Sequence, residues 1–354
     1  MKSYDITEWG KPLQYAVRET PRPGPYEVLM RLTYCGVCHS DVHVREGYFD
    51  MGGGVKNKLG DRIKLPVILG HEPIGVVAAV GSEVSGVQVG ETYLVNPWIG
   101  CGKCAVCLKG QDNLCNFMAA MGIARPGGFA THLLVPHARY LVDVKGIDPA
   151  QAAVLACSGV TAYSAASKLG VPQAGQWIAV LGCGGLGLIA LAILKALGHT
   201  SIIACDVDDA KLEVARAAGA THGLNLKTGG AKELLALSGG AGLYGMLDFV
   251  GAPSTSALAV PSLQKGGRFV SVGLFGGAAT IPLVALAMRE IALMGSAVGS
   301  TAQIRELVAL VQSGKLTLPA VQVRPLAQAE QSLRDLEAGR VTGRIVLDAM
   351  TETD

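Results

Sequence analysis

The chain has 354 residues and a formal net charge of +2; half of its residues are apolar and only 16% are charged. This length exceeds that of one ordinary hydrophobic core and favours two domains. The near-neutral charge, without a long basic run, removes the electrostatic case for nucleic-acid binding. Residues 1–5 lack the apolar stretch that begins a signal peptide, so we expect a cytoplasmic protein.

One stretch approaches the length of a membrane span. Residues 177–194 carry no charge over eighteen positions. Four glycines interrupt its middle, which favours a strand, a tight turn and a buried helix over one spanning helix. We therefore expect no membrane partner.

The first part of the chain predicts a compact, mostly β domain that extends to about residue 150. Short β-like runs at 26–32 and 74–80 alternate with turn signals. Residues 48–64 contain three consecutive glycines and several charges, and predict a mobile surface loop that rims a substrate cleft.

From residue 152 the pattern changes to apolar strands that alternate with Ala/Leu-rich helices, which is typical of βαβ units and a parallel sheet. The predicted strands are 177–181, 201–206, 247–250, 268–272 and 291–296. Predicted helices are 185–197 and 209–218, each ended by a glycine, and 301–313, followed by β-like pieces near Val321 and Ile345.

A cluster of polar side chains occupies residues 34–43. Cys38 in this cluster, with His71 and Cys157 further along, could form a three-ligand set that leaves a fourth zinc position open, as a catalytic zinc needs. Spacing alone leaves two interpretations open, because the three distant side chains could equally be ordinary core residues.

Four cysteines follow a spacing that predicts a structural zinc. Cys101, Cys104, Cys107 and Cys115 form C-x2-C-x2-C-x7-C, and four thiolates in one loop can enclose a tetrahedral ion. The alternative is a loop with free thiols. The other cysteines, Cys35, Cys183 and Cys205, are expected to be small buried side chains.

A glycine motif marks a nucleotide site. Residues 182–187 read G-x-G-x-x-G at the junction of a predicted strand and helix, where glycines allow a pyrophosphate to approach the helix N-terminus. Asp206 ends the next predicted strand, and its carboxylate favours NAD over NADP because it would repel a 2′-phosphate. The alternative is a glycine turn that serves packing alone.

In these motifs the chain resembles the zinc-dependent medium-chain alcohol dehydrogenases over essentially its full length. The resemblance is carried by residues 70–75 with Gly81 and Val84, by the four cysteines, by the glycine motif and by residues 155–163, in that family's order.

The resemblance implies roles for individual residues. It places the catalytic zinc on Cys38, His71 and Cys157 with Glu72 close behind, and makes Asp41 the carboxylate that orients the His71 ring. Ser40 would contact the reacting oxygen and His43 would be the outer base of a proton relay. The implied cofactor positions are His39 and Arg344 at the pyrophosphate, Lys211 and Asp206 at the adenosine ribose, and Gly182, Gly184, Gly185 and Gly187 in the turn. Thr161, Leu186 and Val272 would lie beside the nicotinamide, and Val250 is also expected at the cofactor. Trp98 would form a wall of the substrate pocket.

The implied architecture is a GroES-like catalytic domain, 1–152 and 297–354, with the structural zinc in a lobe at about 96–116. A doubly wound Rossmann domain, 153–296, would lie between, in a homodimer or homotetramer.

The implied reaction is the reversible oxidation of a primary or secondary alcohol to an aldehyde or ketone. One of two zincs would acidify the substrate. Its proton would leave through Ser40, the nicotinamide ribose and His43 to solvent, and hydride would pass to NAD. A sorbitol-like polyol dehydrogenase is a rival, but its third ligand is typically a carboxylate. Cinnamyl-type reductases usually prefer NADP, and a non-catalytic binding protein on the same fold is a third alternative. The physiological substrate is not given by fold or sequence.

Overall fold

The structure is a computed structural model that describes residues 1–171 and 173–352. The strands are β1 (Lys2–Ile6), β2 (Gln14–Val17), β3 (Val28–Val37), β4 (Tyr48–Asp50), β5 (Lys56–Lys58), β6 (Val67–Ile68), β7 (Pro73–Val80), β8 (Thr92–Val95), β9 (His132–Val135), β10 (Leu141–Asp143), β11 (Trp177–Leu181), β12 (Ser201–Asp206), β13 (His222–Asn225), β14 (Leu243–Asp248), β15 (Leu263–Ser271), β16 (Ala292–Gly295), β17 (Val321–Pro325) and β18 (Arg344–Asp348). The α-helices are α1 (His39–Glu46), α2 (Ala105–Leu108), α3 (Pro149–Ala153), α4 (Ser158–Ser167), α5 (Gly185–Ala196), α6 (Asp209–Ala217), α7 (Ala231–Leu237), α8 (Pro253–Ser256), α9 (Ala259–Ser262), α10 (Leu283–Met288), α11 (Thr301–Gln312) and α12 (Ala329–Glu337).

The first large sheet joins the two ends of the chain. Its order is β10-β8-β7-β3-β18-β17, and β9 also pairs with β3. The long strand β3 pairs with β7 along one edge, while β9 and β18 share its other edge. Because β18 comes from the C-terminal segment, that segment completes the sheet begun by the N-terminal half. A small sheet, β2-β1-β6, and the hairpin β4–β5 accompany it.

The second large sheet is parallel, with the order β13-β12-β11-β14-β15-β16. Counted along the chain this is 3-2-1-4-5-6, the order of a doubly wound nucleotide-binding fold. Residues 178–181 of the central strand β11 are completely buried, which explains their uninterrupted apolar sequence. The predicted combination of a GroES-like β domain and a Rossmann-type sheet is confirmed.

The turn between β11 and α5 requires its glycines. Gly182 has φ of +87°, a conformation that L side chains rarely adopt. A side chain at Gly187 would overlap the carbonyl oxygen of Gly182, so α5 can pack this close to β11 only with glycine there.

Most predicted elements of the second half lie within one residue of their observed bounds. β11 and β12 match, and α5, α6 and α11 each end one residue earlier than predicted. The two strands at 247–250 and 268–272 are longer, since they begin at Leu243 and Leu263. The strand β13 and the helix α7 were not predicted.

Residues 48–64, predicted as a mobile surface loop, contain a short hairpin. β4 and β5 pair antiparallel from Tyr48↔Lys58 to Asp50↔Lys56, and a 3-10 turn follows at Leu59–Asp61. The hairpin escaped prediction because its strands are three residues long and β5 is entirely polar and exposed.

The uncharged stretch 177–194 forms β11 and the first part of α5. Among the described residues, no helix combines the length and apolarity needed to cross a membrane. We propose that the boundaries between the catalytic and Rossmann domains lie at residues 152 and 296.

Candidate active site

Three side chains from distant parts of the chain meet in the interior. Cys38 lies at the N-terminus of α1, His71 just before β7, and Cys157 at the N-terminus of α4. Their candidate ligand atoms all lie within 4.8 Å of one another, and all three residues are buried. The structure therefore brings together the three residues that spacing alone left undecided.

The ring of His71 is oriented by Asp41. Nδ1 of His71 lies 2.9 Å from Oδ1 of Asp41, and Asp41 also accepts from the backbone N–H groups of Gly70 (3.2 Å) and Cys38 (2.9 Å). Nε2 of His71 is buried and has no hydrogen-bond partner among the described residues. A buried imidazole nitrogen without a partner beside two sulfurs is a donor arrangement that fits a metal ion, and two thiolates with one imidazole suit zinc.

The electrostatics of the group favour a thiolate at Cys38. Its contacts with Cys157 and His71 hold the pKa of Cys38 well below its usual value despite burial, whereas the contact with Cys38 and burial raise the pKa of Cys157. A thiolate is the form in which cysteine binds a metal. The negative charge of a Cys38 thiolate would favour binding of a cation here.

A second group consists of four cysteine sulfurs. The ligand atoms of Cys101, Cys104, Cys107 and Cys115 lie within 4.8 Å of one another. Sγ of Cys115 also accepts from the backbone N–H groups of Cys101 (3.4 Å) and Phe117 (3.3 Å). Four sulfurs leave no ligand position for a substrate, so this group suits a structural zinc.

The remaining cysteines, Cys35, Cys183 and Cys205, are free and buried. Burial raises the pKa of Cys183 to about 12, so its thiol is unreactive although it lies inside the glycine motif.

Asp206 holds the glycine motif in place. Its Oδ2 accepts from the backbone N–H of Cys183 at 2.7 Å, and its Oδ1 accepts from Val207 (2.8 Å) and Asp208 (3.1 Å). The sequence assigned this carboxylate to the ribose alone. The contact with Cys183 gives it a second role, because it fixes the turn that would face the pyrophosphate.

Ser40, His39 and His43 lie on α1. The His43 ring lies 5.4 Å from that of Phe49 and 6.0 Å from that of His39, whose ring is 5.5 Å from that of Phe275. Burial lowers the pKa of both His39 and His43. Both imidazoles are therefore neutral proton acceptors near pH 7.

Glu72 and Arg344 form a buried ion pair, in which Nη2 of Arg344 donates to Oε2 of Glu72. A side chain at Gly185, the first residue of α5, would overlap the Arg344 side chain. Arg344 thus contacts Glu72, the residue after His71, and also lies beside the N-terminus of α5. That terminus is where Arg344 is predicted to contact the cofactor pyrophosphate. Its role towards the cofactor stays a prediction.

Apolar side chains surround the Cys38 and Cys157 end of the site. Trp98, 4% exposed, and Ala120 pack with these two cysteines, and Nε1 of Trp98 donates to the carbonyl of Ala156 at 3.0 Å. Three partly buried residues complete the cluster: Met118, Ile123 and Val298. Sequence reasoning named only Trp98, because the others lie on segments without a periodic pattern.

The backbone of Val298 is strained. Its φ is +43°, a conformation that a β-branched residue rarely adopts and that no sequence signal reveals.

The other predicted cofactor residues lie on or after elements of the parallel sheet. Val250 and Val272 follow β14 and β15, Leu186 and Lys211 lie in α5 and α6, and Thr161 lies in α4 with a buried hydroxyl that has no partner in the described structure. Ligands of open parallel sheets bind at the carboxyl ends of the strands.

A cavity of about 480 Å³ lies between the hairpin β4–β5 and the segments that follow β14 and β15. Its lining includes Phe49 and Met51 from the hairpin and Pro253 and Leu274 from the other side. The hairpin therefore faces the parallel-sheet half of the molecule.

Comparisons with known proteins agree with this geometry. Residues 24–146 match the alcohol dehydrogenase GroES-like domain, and residues 185–313 match the zinc-binding dehydrogenase family. The chain is 34% identical to an NAD-dependent alcohol dehydrogenase of Sulfurisphaera tokodaii over 348 residues, which cover 98% of this chain and 99% of that protein.

Two solved structures extend the likeness. The alcohol dehydrogenase of Aeropyrum pernix is 32% identical, with a TM-score of 0.89 over 98% of this chain and 100% of that chain. Acetophenone reductase of Geotrichum candidum in complex with NAD is 30% identical, with a TM-score of 0.85 over 99% of this chain and 98% of that chain.

Proposed function

Since the chain belongs to the zinc-binding medium-chain alcohol dehydrogenase family, we propose that it catalyses the reversible, NAD-linked oxidation of primary or secondary alcohols to aldehydes or ketones. The observation that carries this proposal is the buried group of Cys38, His71 and Cys157, with Nε2 of His71 unpartnered, in the same chain as a Rossmann-type glycine turn. Relatives named NAD-dependent alcohol dehydrogenases, similar over their whole length, support it.

One zinc would be held by Cys38, His71 and Cys157. The other zinc would be held by the four lobe cysteines. When bound, zinc supplies a Lewis acid that makes a substrate hydroxyl more acidic, and NAD supplies the hydride acceptor. The contribution of Asp41 is to keep His71 in the tautomer whose Nε2 is free to bind metal. Without that hydrogen bond the ring could turn, and the ligand set would lose its geometry.

We propose that two residues of α1 carry the substrate proton towards solvent. Ser40 is only half-buried, and His43 is one turn further along the helix. We assign Ser40 to the substrate hydroxyl and His43 to the step towards solvent. Burial lowers the pKa of His43, so it stays neutral and able to accept a proton in mildly acidic solution.

For the cofactor, we assign the pyrophosphate to the start of α5 and the adenosine ribose to Asp206 and Lys211. Backbone N–H groups at a helix N-terminus bind phosphate oxygens, and the glycine turn leaves room for close approach. The negative charge of Asp206 disfavours a 2′-phosphate, which supports NAD as the cofactor.

The substrate is proposed to be an alcohol with an apolar substituent. The walls around Cys38 and Cys157 come from Trp98, Met118, Ala120, Ile123 and Val298. Such a surface favours hydrocarbon and offers few partners for the hydroxyls of a sugar or polyol, which would lose hydrogen bonds to water. This favours an alcohol dehydrogenase over the polyol-dehydrogenase alternative.

A homo-oligomer is proposed from the edge of the parallel sheet. β16 ends the strand order, and Leu283, Val284 and Met288 on the adjacent α10 are each more than 70% exposed. An unpaired strand edge beside exposed apolar side chains is a surface that a second subunit can cover. Light scattering coupled to size exclusion should give a dimer or tetramer mass; a monomer would contradict the proposal.

A reducing compartment, the cytoplasm, fits the nine free cysteines, since both sulfur groups need thiolates and not disulfides.

The test is metal analysis of the purified protein combined with NADH absorbance in the presence of primary, secondary, benzylic and polyhydric alcohols. We expect two zincs per chain and NAD reduction with the apolar alcohols. His71→Ala should lose one zinc and the activity, whereas Cys205→Ala, at a buried cysteine outside both metal groups, should keep both zincs. Turnover by zinc-free protein, or activity in His71→Ala, would contradict the proposal.

A further inference from the structure

Glu72, the residue after His71, is completely buried and both of its carboxylate oxygens are bound. Oε2 accepts from Arg344. Oε1 accepts twice from one residue, Ser158, whose backbone N–H donates at 3.0 Å and whose hydroxyl donates at 2.7 Å. Ser158 lies in the stretch 155–163, but the sequence alone assigned it no role.

The hydroxyl of Ser158 carries one proton and lies near two acceptors. The carbonyl oxygen of Val154 is 3.1 Å away, and Oε1 of Glu72 is closer, at 2.7 Å. Hydrogen bonds to an ionised carboxylate are shorter and about twice as strong as those between neutral groups. The Ser158 hydroxyl therefore donates to Oε1 of Glu72.

This contact connects the two segments that carry metal ligands. Glu72 directly follows His71, Ser158 directly follows Cys157, and the two bonded residues are 86 positions apart in the sequence. The Ser158 hydroxyl therefore links the residue that follows Cys157 to Glu72, the residue that follows His71.

Glu72 has no space to move away from Ser158 towards β3. A side chain at Gly36 would overlap Oε2 of Glu72, so the carboxylate rests directly on the β3 backbone. Because the backbone bounds one side and Arg344 holds the other oxygen, the position of Glu72 depends on the two Ser158 contacts.

From this geometry we propose that Ser158 is a positioning residue for the reaction: its hydroxyl holds Glu72 and thereby fixes the spacing of His71 and Cys157. The inference rests on the proposed zinc-dependent function. Ser158 acts on the ligand geometry and does not touch the reacting atoms.

The test compares three variants loaded with Co²⁺ in place of zinc. Ser158→Ala removes the hydroxyl and keeps the backbone N–H. Ser158→Thr restores a hydroxyl. The matched control is Ser164→Ala, which removes another buried hydroxyl of α4, one that contacts Lys168 instead of Glu72.

The visible Co²⁺ absorption reports ligand geometry, and the four-sulfur lobe contributes equally to every spectrum. We expect Ser158→Ala to shift the absorption bands and to lower metal affinity or kcat by about 10- to 100-fold, with little change in KM, as loss of a partner behind a metal ligand does. Ser158→Thr should return the spectrum and kcat towards wild type, and Ser164→Ala should match wild type.

A Ser158→Ala protein with the wild-type spectrum, metal affinity and kcat would overturn the inference, as would an equal loss of thermal stability in both alanine variants with no spectral change. If wild type binds Co²⁺ but oxidises no alcohol, the proposed function fails while the spectra still decide the role of Ser158. If wild type is active and Ser158→Ala is unchanged, only the positioning role fails.

Discussion

At the scale of single residues, the two ring nitrogens of His71 have different surroundings. Nδ1 is held by Asp41, and Nε2 is buried without a partner in the described structure. A buried polar atom without a partner costs about 1–3 kcal/mol, which binding of a metal ion would recover. The sequence could name His71 and Asp41 through resemblance, but not the ring orientation, which depends on backbone geometry at residues 38 and 70.

His43 leads to a prediction about pH. Burial lowers its pKa below the ordinary value of 6.5, so it accepts protons at pH 6.5 and above and loses this capacity only in more acidic solution. In His43→Ala, alcohol oxidation should fall by roughly 10²-fold near neutral pH, the lower end of general-base effects, and recover as pH rises. The acidic limb of the kcat profile should therefore move to higher pH.

His199→Ala is the matched control, because burial also lowers the pKa of His199 but that residue lies between α5 and β12. Its kcat profile should follow wild type. An unshifted acidic limb in His43→Ala would remove His43 from the proton path.

Asp206 carries a prediction about cofactor choice. Asp206→Ala should lower the ratio of kcat/KM for NAD over NADP by about tenfold, equivalent to ~1.4 kcal/mol, because the charge that repels a 2′-phosphate is gone. Affinity for both cofactors should also fall, since the Cys183 N–H loses its acceptor. Asp208→Ala, which removes only the α6 cap, should keep the ratio. An unchanged ratio in Asp206→Ala would refute the assignment.

At the scale of elements, the sequence was informative where strands are buried. β11 and β12 are apolar and flanked by turn residues, so their bounds could be predicted. β13, His222–Asn225, has one buried residue, and β5 has none, so neither differs from a polar loop in composition. Their pairing with neighbours, which single-sequence patterns do not contain, decides their structure.

The hairpin β4–β5 provides a prediction at this scale. A side chain at Gly52 would overlap the backbone of Gly277, and the hairpin lines the 480 Å³ cavity. Deletion of residues 52–54 should change KM for alcohols and the order of preference within an alcohol panel, because the hairpin then no longer bounds the cleft. Deletion of Gly239, in the exposed turn after α7, is the control. Identical KM values and preferences in the hairpin deletion would show that it does not rim the substrate site.

At the scale of the whole molecule, the site depends on both large sheets. Cys38 follows β3 of the first sheet, Cys157 begins the helix that packs against α5 beside the second sheet, and Arg344 begins β18. Sequence patterns predicted the parallel sheet and named every ligand. They could not show convergence, because contacts between residues from distant parts of the chain are set by tertiary packing.

The central claim is that Cys38, His71 and Cys157 bind one zinc, and that the lobe binds another. X-ray anomalous scattering at the zinc absorption edge, from crystals of the purified protein, tests it most directly. We predict two peaks per chain, one among the sulfurs of Cys38 and Cys157 and Nε2 of His71, and one among the four lobe sulfurs. A single peak in the lobe, or a metal that does not contact Nε2 of His71, would contradict the claim.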